Sequence, residues 1–409
     1  MSDPAPASEQ FAKPRHFELR LSLLFGSIFA SVGFHLPYFP LWLERNGLDA
    51  NQIALVLSVP LFLRLVTTPV ITALADRLPE RANMLILMIG LTALLSLGYV
   101  FGPPTYLFVL VLSVVLHVAW TPHGPLADSL ALSGVRRFGT DYPSIRKWGS
   151  TAFLCANLGG GFIVGTWGAD AVPVIISAGL WTAFCVSLAA PRLGRPRRDS
   201  PLSAAALRDA PKLFSRPFIV VVAAAGIINS SHGLLFSFGS IYWREIGIAE
   251  SVIGFLWAFM VLCEIGLMMV FRRFFGAVAA PRLLAVAGIA AALRWLMFPF
   301  IAPLELGLPG HFLVQSLHAL STGLLLLGVP KMVAETVGEE RLGAAQGAAF
   351  FASGLCMAQV MLVSGAIYAG LGVDGFYLMA AIALAGTVLL LFVSPTGRAR
   401  GAIPRSPDS

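Results

Sequence analysis

The sequence predicts an all-α membrane protein whose twelve transmembrane helices form two pseudo-symmetric six-helix bundles. The 409 residues are 57% hydrophobic and 12% charged, with a mean hydropathy of +0.80, a composition that soluble domains of this size do not reach. Apolar runs of about 20 residues, the length that crosses a hydrocarbon core, recur from Arg20 to Val393. Two distant stretches of the chain also resemble each other, which indicates an internal repeat.

The apolar runs are here called spans 1 to 12. We predict helices for them because the backbone inside a membrane is satisfied in helices or closed barrels, and the alternating ten-residue strands of a barrel are not seen. In order, the predicted spans are residues 20–43, 51–75, 83–102, 105–134, 147–168, 171–190, 217–243, 250–271, 282–302, 310–331, 342–370 and 375–394. Four cysteines fall inside them, which favours small packing residues over a disulfide or metal site.

The basic residues show which side each connection faces. Most of the 28 Lys and Arg lie before span 1, between even and odd spans, or after span 12, whereas Arg45 and Arg244 lie on the other side. The positive-inside rule then predicts a cytoplasmic-membrane protein with both termini in the cytoplasm. The net charge of +7 therefore reflects topology, and no nucleic-acid partner is expected. Membrane lipid and a small molecule are the expected partners of a monomer.

A polar segment divides the chain into two halves. We predict a cytoplasmic N-terminal tail (1–19), an N-terminal six-helix bundle (20–190), a cytoplasmic linker (191–216), a C-terminal six-helix bundle (217–394) and a cytoplasmic tail (395–409). The stretch "YFPLWLERNGLDANQIALVL" (38–57) aligns without gaps on "FGSIYWREIGIAESVIGFLW" (238–257), an offset of 200 residues. Two equivalent halves are typical of transporters that alternate access around a midplane site.

Four charged residues lie deep inside the predicted spans: Arg64, Asp128, Glu264 and Arg294. A charge at the bilayer centre costs about 2.5 to 3.5 kcal/mol on insertion scales, so each should face a partner or a wet cavity. The repeat offset maps Glu264 onto Arg64. Because the four charges sum to zero, protonating one carboxyl would leave a net positive cavity that attracts an anion. Structural ion pairs between helices are the alternative interpretation.

Histidine and tryptophan side chains add candidates to this charged set. His232 in span 7 and His318 in span 10 have the residue type that titrates near neutral pH, although either can be a hydrogen-bonded packing residue. Trp257 lies seven residues before Glu264 on the same helical face and can stack on a ligand or belong to the core. The weaker histidine candidates are His35, His117 and His123.

The stretch "ALADR" ends span 2 with Asp76 and Arg77, for which we expect a role in gating or helix capping. HExxH, GxSxG and Walker A patterns are not found in the sequence, so it gives no support to an enzyme. A transporter of this kind needs no cofactor, because the proton gradient supplies the energy.

These stretches together resemble the major facilitator superfamily, and in particular its phenylpropionate permease branch, which is related to lactose permease and nucleoside proton symporters. The resemblance covers nearly all of residues 15–395. It rests on "ALADR", on "PLADSLAL" followed by "YPSIRKWGS", on "SHGLLFSFGSIYWREIGIAESVIGFLWAFMVLCEI" and on "QSLHALSTG". It implies the major facilitator fold and secondary active transport.

The resemblance also implies roles for single residues. Asp128 takes the place of the acid in span 4, Arg146 that of a substrate-contacting arginine in span 5, and Phe153 that of a sugar-stacking tryptophan. Three further residues, Glu264, Arg294 and His318, match the proton and substrate site of lactose permease. Two positions depart from that pattern, since Ser321 stands where an acid is expected and Gln315 where a lysine is expected.

We therefore predict proton-coupled uptake of a small organic acid, aromatic in character, by alternating access. Arg64, Arg146 and Arg294 would attract the carboxylate, with Phe153, Trp257 and His232 completing the substrate site, while Asp128, Glu264 and His318 would carry the proton. The alternatives are a proton symporter for a sugar or nucleoside, a proton-driven exporter of a drug or sugar, and a membrane sensor that transports nothing.

Overall fold

The computed structural model describes residues 13–194, 215–336 and 342–392, and these residues form a bundle of helices. Most of the predicted tails and of the predicted linker lies outside the described residues. The N-terminal bundle consists of α1 (Phe17–Arg45), α2 (Ala50–Ala75), α3 (Arg81–Phe101), α4 (Tyr106–Trp120), α5 (His123–Phe138), α6 (Tyr142–Trp167) and α7 (Val172–Ser187). The C-terminal bundle consists of α8 (Arg216–Ser230), α9 (Gly233–Glu245), α10 (Glu250–Phe274), α11 (Ala280–Met297), α12 (Gly307–Ser316), α13 (Leu324–Thr336), α14 (Leu342–Leu371) and α15 (Gly375–Leu389).

The described helices confirm the all-α membrane fold. Among the described residues, 10 helical stretches are long and apolar enough to cross a membrane, and one of them, Ala344–Phe392, is 49 residues long and contains α14 and α15. The 26-residue α6 is not among the 10, because three consecutive glycines and Asn157 lower its hydropathy. The count of twelve crossings therefore stays a prediction. Large apolar side chains such as Leu107 and Met269 remain exposed, as expected of a lipid-facing surface.

Two short turns show the internal repeat at the level of single hydrogen bonds. The turn after α1 and the turn after α9 each place a glycine in the left-handed region, Gly47 at φ 79° and Gly247 at φ 83°. The amide of Gly47 bonds to the carbonyl of Glu44 at 2.9 Å, and that of Gly247 bonds to Arg244 at 3.0 Å. Only glycine adopts this conformation without steric cost. Gly47 and Gly247 occupy the same position in the two aligned stretches, so the repeat includes a backbone requirement. The end of the bundle that carries these turns is called the distal end, and the opposite end is the tail end.

Three predicted spans are interrupted in the middle, which the apolar pattern does not show. Span 4 breaks between α4 and α5 at Pro122, whose ring removes a backbone donor and clashes with the preceding turn. Span 7 breaks at Ser231, whose hydroxyl donates to the carbonyl of Ile228 at 2.7 Å and competes with the helical bonds. Span 10 contains a π-helical turn, Ala319–Gly323, directly after His318. Such turns occur mostly at functional sites.

The two bundles are in close contact at the distal end. A Cβ atom on Gly161 of α6 would lie 3.2 Å from the Cα atom of Gly254 of α10, and one on Gly365 of α14 would lie 2.7 Å from the Cα atom of Asn51. Helices approach this closely only where a side chain is missing. Arg244 of α9 also forms an ion pair with Glu44 of α1. These contacts close the distal end between the bundles.

Candidate functional site

A cavity of about 520 Å³ lies between the two bundles at the middle of the helices. Its walls come from α1, α2, the break between α4 and α5, the region around the break between α8 and α9, and α14. A second cavity of about 290 Å³ adjoins it, because Asn229, Phe350 and Ser353 line both. These are called the main cavity and the side cavity. The main cavity has the size of a small-molecule site, for which about 300 to 1,000 Å³ is usual.

Arg64 of α2 is the charged residue of the main cavity. Within the described residues, the lining contains no other Arg or Lys and no Asp or Glu. The guanidinium carbon lies 5.7 Å from the centre of the Phe350 ring, and the Nε atom is buried with no hydrogen-bond partner in the part of the chain that the structure describes. A buried cation without a carboxylate partner is costly. The arrangement therefore favours binding of an anion.

Histidine and aromatic side chains form the wall of the main cavity on the side of α1 and α4. The ring of His35 lies 5.2 Å from that of His117 and 5.0 Å from that of Trp120, measured between centres. On its other face, His35 stacks on Phe39 at 4.5 Å. Sequence reasoning ranked these histidines low. Their position could have identified His35 and His117 as site residues, since both fall in the middle of predicted spans.

A second polar cluster lies in the C-terminal bundle and contains three of the predicted residues. Nη1 of Arg294 donates to Nδ1 of His318 at 3.0 Å, and Nη2 donates to Oε1 of Gln315 at 2.5 Å. On the other side of the imidazole, Nε2 of His318 lies 3.4 Å from Oε2 of Glu264. Because Nδ1 accepts from an arginine, it carries no hydrogen, so the ring directs its hydrogen from Nε2 towards the carboxylate. The cluster is a chain of arginine, histidine and glutamate.

The π-helical turn connects this cluster to the side cavity. Thr322 lines the side cavity, and its hydroxyl lies 3.2 Å from Nδ1 of His318 and 3.1 Å from Nε2 of His232. Nδ1 of His232 is 3.1 Å from the carbonyl oxygen of Asn229, so Nδ1 carries the hydrogen and Nε2 accepts one. The single hydroxyl hydrogen of Thr322 can therefore be given to Nε2 of His232, or to Nδ1 of His318 when Arg294 releases that nitrogen. Sequence reasoning missed Thr322, although its position four residues after His318 is the helical spacing that brings two side chains together.

Asp128 and Arg146 form a third cluster towards the tail end. Tyr142 donates to Oδ1 of Asp128 at 2.8 Å, and Nε of Arg146 lies 4.0 Å from the same oxygen. The guanidinium carbon of Arg146 also lies 3.9 Å from the centre of the Phe29 ring, which lines the main cavity. Asp128 and Arg146, for which the resemblance implied separate roles, therefore lie together next to the cavity wall.

The structure separates the four deep charges that the sequence grouped in one neutral cavity. Arg64 faces the main cavity, Asp128 pairs with Arg146, and Glu264 joins Arg294 through His318. The neutral-cavity interpretation is corrected accordingly, because Asp128, Glu264 and Arg294 do not line the main cavity that Arg64 faces. Arg294 is 0% exposed and lines neither cavity.

The remaining predicted residues lie away from the cavity surfaces. Trp257 is buried and donates to the hydroxyl of Ser240 at 2.9 Å. Its ring stacks on Phe236, a lining residue of the main cavity, so it supports the wall from behind. Phe153 does not line the main cavity. Asp76 pairs with Arg81 at 2.7 Å at the end of α2.

Asp76 and Arg77 lie at the tail end of the N-terminal bundle, where the sequence expects gating or capping. Asp76 occupies the C-cap position of α2, and its amide bonds to the carbonyl of Thr72 at 3.1 Å. The amide of the exposed Arg77 bonds to the carbonyl of Leu74 at 3.1 Å. Both residues therefore terminate α2.

The chain is similar to families and structures of transporters. A family model described as "MFS_1 like family" matches residues 18–379. The chain is 26% identical over 378 residues to a protein of Escherichia coli (strain K12) named "Probable 3-phenylpropionic acid transporter", covering 92% of this chain and 98% of that protein. It is 28% identical over 292 residues to the maltose permease of Geobacillus stearothermophilus, covering 69% of this chain and 71% of the permease.

Solved structures show the same fold at low sequence identity. A mutant of the nucleoside transporter NupG superposes with a TM-score of 0.78 at 15% identity and covers 92% of this chain and 98% of that chain. The human organic anion transporter MFSD10 (TETRAN) superposes with a TM-score of 0.61 at 14% identity and covers 92% and 100%. The relatives and neighbours are transporters, which agrees with the expectation that the chain is not an enzyme.

Proposed function

Since the chain belongs to the MFS_1-like family and is a multi-pass secondary transporter of a small molecule, we propose that it takes up an aromatic organic acid together with a proton. The observation that carries this proposal is Arg64. A guanidinium that faces a cavity of about 520 Å³ without an acidic neighbour provides a forked donor for a carboxylate. Neutralising that arginine by the substrate would remove the cost of burying the cation.

The apolar part of the substrate would lie among aromatic rings. Phe29, Trp120, Phe236 and Phe350 all line the main cavity. Rings pack on aromatic side chains in offset or edge-to-face geometry, and this adds to the apolar area that they bury. Similarity to the Escherichia coli (strain K12) protein named "Probable 3-phenylpropionic acid transporter" supports the same class of substrate.

Proton coupling would use the cluster of Glu264, His318 and Arg294. A proton on Nδ1 of His318 would displace the hydrogen bond that Arg294 now donates there at 3.0 Å. The displaced guanidinium keeps a partner in Gln315, to which it already donates. Passing the hydrogen on Nε2 across 3.4 Å would then neutralise Glu264. Thr322 would relay the proton, because its hydroxyl can give its hydrogen to Nδ1 of His318 while its oxygen takes up a proton that enters through the side cavity. Asp128 beside Arg146 is a second carrier that we keep in the proposal.

We propose the following cellular arrangement on the distribution of basic residues. The protein would act as a monomer in the cytoplasmic membrane, with both termini in the cytoplasm and no cofactor besides the proton gradient. The distal end, which Glu44 and Arg244 close, would then face outwards. Substrate would enter from that side after the pair separates, and the bundles would rock about the main cavity.

A sugar or nucleoside is the second candidate substrate. The amide of Asn229 donates to the hydroxyl of Ser353 at 3.0 Å, and both residues line the two cavities. Such amide and hydroxyl groups suit a polyol, and the similarity to a maltose permease points the same way. We rank the organic acid above the sugar or nucleoside as substrate, because a neutral sugar would leave the charge of Arg64 unpaired.

Uptake into proteoliposomes tests the proposal. Purified protein is reconstituted, and the external pH is followed after 3-phenylpropionate, maltose or uridine is added to a weakly buffered suspension. We expect the acid to make the medium more alkaline, because its proton enters with it. Liposomes without protein and the variant Glu264→Gln are the controls, and the variant should bind the acid without moving protons. If maltose or uridine makes the medium alkaline and the acid does not, a sugar or nucleoside is the substrate instead of the acid. Acid movement that drives protons outwards would indicate an exporter.

A further inference from the structure

The wall of the main cavity formed by α1 and α4 carries two imidazoles that the proposed transport of a carboxylate does not use. His35 and His117 both line the cavity, and their rings meet edge to face at 5.2 Å. Trp120 lies 5.0 Å from His35 and 5.4 Å from His117, so it holds both rings in place. The three side chains are called the histidine wall.

The hydrogen bonds of the histidine wall leave two ring nitrogens without partners within the described residues. Nδ1 of His117 lies 2.8 Å from the carbonyl oxygen of Ser113, so this nitrogen carries the hydrogen and Nε2 of the neutral ring is an acceptor. Nε2 of His117 has no hydrogen bond within the described residues. Nε2 of His35 is buried and also lacks a partner in that part of the chain.

Unpartnered nitrogens of this kind are uncommon in protein interiors. Buried polar side-chain atoms are nearly always hydrogen-bonded, and the exceptions need an explanation. The ring faces of His35 are occupied by Phe39 and by the edges of its neighbours, so rotation of the ring is restricted. A ligand hydroxyl in the main cavity can donate its hydrogen to Nε2 of His117 and accept one from Nε2 of His35, whose tautomer is not fixed by any described hydrogen bond.

The histidine wall lies at a different depth from Arg64. His35 precedes the distal end of α1 by ten residues, and Arg64 follows the distal end of α2 by fourteen. At 1.5 Å per residue, Arg64 is about 6 Å further from the distal end than His35. A substrate whose carboxylate meets Arg64 would therefore direct its other end towards the distal end and the histidines.

We infer that the main cavity selects aromatic acids with a hydroxyl group on the ring, at the end opposite the carboxylate. In this arrangement Arg64 binds the carboxylate, and the ring hydroxyl donates its one hydrogen to Nε2 of His117 and accepts a hydrogen from Nε2 of His35. This inference rests on the proposed function, because it places the acid in the same cavity. It adds a polar contact that an unsubstituted ring cannot make.

Uptake of two acids that differ by one hydroxyl tests the inference. Proteoliposomes receive radiolabelled 3-phenylpropionate, and the half-inhibiting concentrations of unlabelled 3-phenylpropionate and of 3-(4-hydroxyphenyl)propionate are compared. We expect the hydroxylated acid to compete about tenfold better, the factor of one net hydrogen bond. The variant His117→Phe should abolish this preference and keep uptake of the unsubstituted acid, whereas His117→Gln, which retains an acceptor, should restore part of it.

The outcomes separate the inference from the proposed function. Equal competition by both acids in the wild type would overturn the inference and leave acid transport standing. A preference that survives in both His117→Phe and His35→Phe would also overturn it, because the hydroxyl would then be recognised elsewhere. If neither acid enters, both the inference and the proposed function fail. The variant His35→Phe keeps the test decisive if His117→Phe does not fold.

Discussion

Replacing Arg64 by glutamine should weaken binding of an anionic substrate without weakening the fold. Arg64 makes no ion pair with a described carboxylate, so its removal leaves no unpaired partner behind. Two hydrogen bonds between a guanidinium and a carboxylate contribute about 3 kcal/mol in total. We therefore expect the half-saturating concentration of 3-phenylpropionate to rise by about 100-fold, since each 1.4 kcal/mol corresponds to a factor of ten.

The assay is concentration-dependent uptake into proteoliposomes under an imposed pH gradient. Arg64→Lys keeps the charge and loses the fork, so it should fall between the wild type and Arg64→Gln. Arg272→Gln removes an exposed arginine near the end of α10 and serves as the matched control with unchanged uptake. Thermal unfolding of the three variants in detergent should begin within a few degrees of the wild type.

Two results would refute this reasoning. If Arg64→Gln changes the half-saturating concentration by less than about twofold, the carboxylate is bound elsewhere. If the variant unfolds at a much lower temperature, Arg64 has a structural partner, and loss of uptake then says nothing about the substrate. A neutral substrate whose uptake the variant does not impair would favour the sugar or nucleoside alternative.

Three further perturbations follow from the described contacts. Thr322→Val removes the hydroxyl between the two imidazoles and keeps the shape of the side chain. Accumulation of substrate driven by a proton gradient should fall at least tenfold, while exchange of labelled for unlabelled substrate continues. Equal loss of accumulation and exchange would contradict the relay. Glu44→Gln breaks the ion pair of Glu44 with Arg244, which should destabilise the closed distal end by about 1 kcal/mol and raise the labelling rate of a cysteine introduced there by a factor of about five. The exchanged pair Glu44→Arg with Arg244→Glu should restore slow labelling. An unchanged rate in Glu44→Gln would show that the ion pair does not hold the distal end closed. Arg294→Gln should lower the stability of the protein by about 3 to 5 kcal/mol, because the arginine is fully buried and hydrogen-bonded to His318. An unfolding temperature like that of Arg64→Gln would contradict this and show that water reaches the side chain of Arg294.

The positions of the helices could be predicted because membrane crossing imposes a length and a composition. Each predicted boundary that lies within the described residues is within about five residues of an observed helix end, and the repeat between residues 38–57 and 238–257 reappears as two matching turns around Gly47 and Gly247. The interruptions at Pro122, Ser231 and His318 could not be read from hydropathy, because an apolar window averages over the local hydrogen bonds.

Within the site, sequence reasoning found charges and missed most of their neutral partners. Glu264, His318 and Arg294 were selected because charged and titratable groups are conspicuous in apolar helices, and the structure brings them into one cluster. Gln315 was noted only as a departure from a lactose-permease pattern, yet it receives a hydrogen bond from Arg294. Thr322 was not selected, since threonine is common in membrane helices.

The sequence by itself determined that the chain is a helical membrane protein with two related halves and a few expensive charges, because lipid penalises every unpaired polar group wherever the helix lies. It could not determine which charges meet, since pairing depends on the rotation and packing of helices far apart in sequence. The tertiary structure decided this: Arg64 faces a cavity between the bundles, while Arg294 lies inside one bundle with His318. The same residue type thus faces an open cavity in one place and a buried histidine in the other.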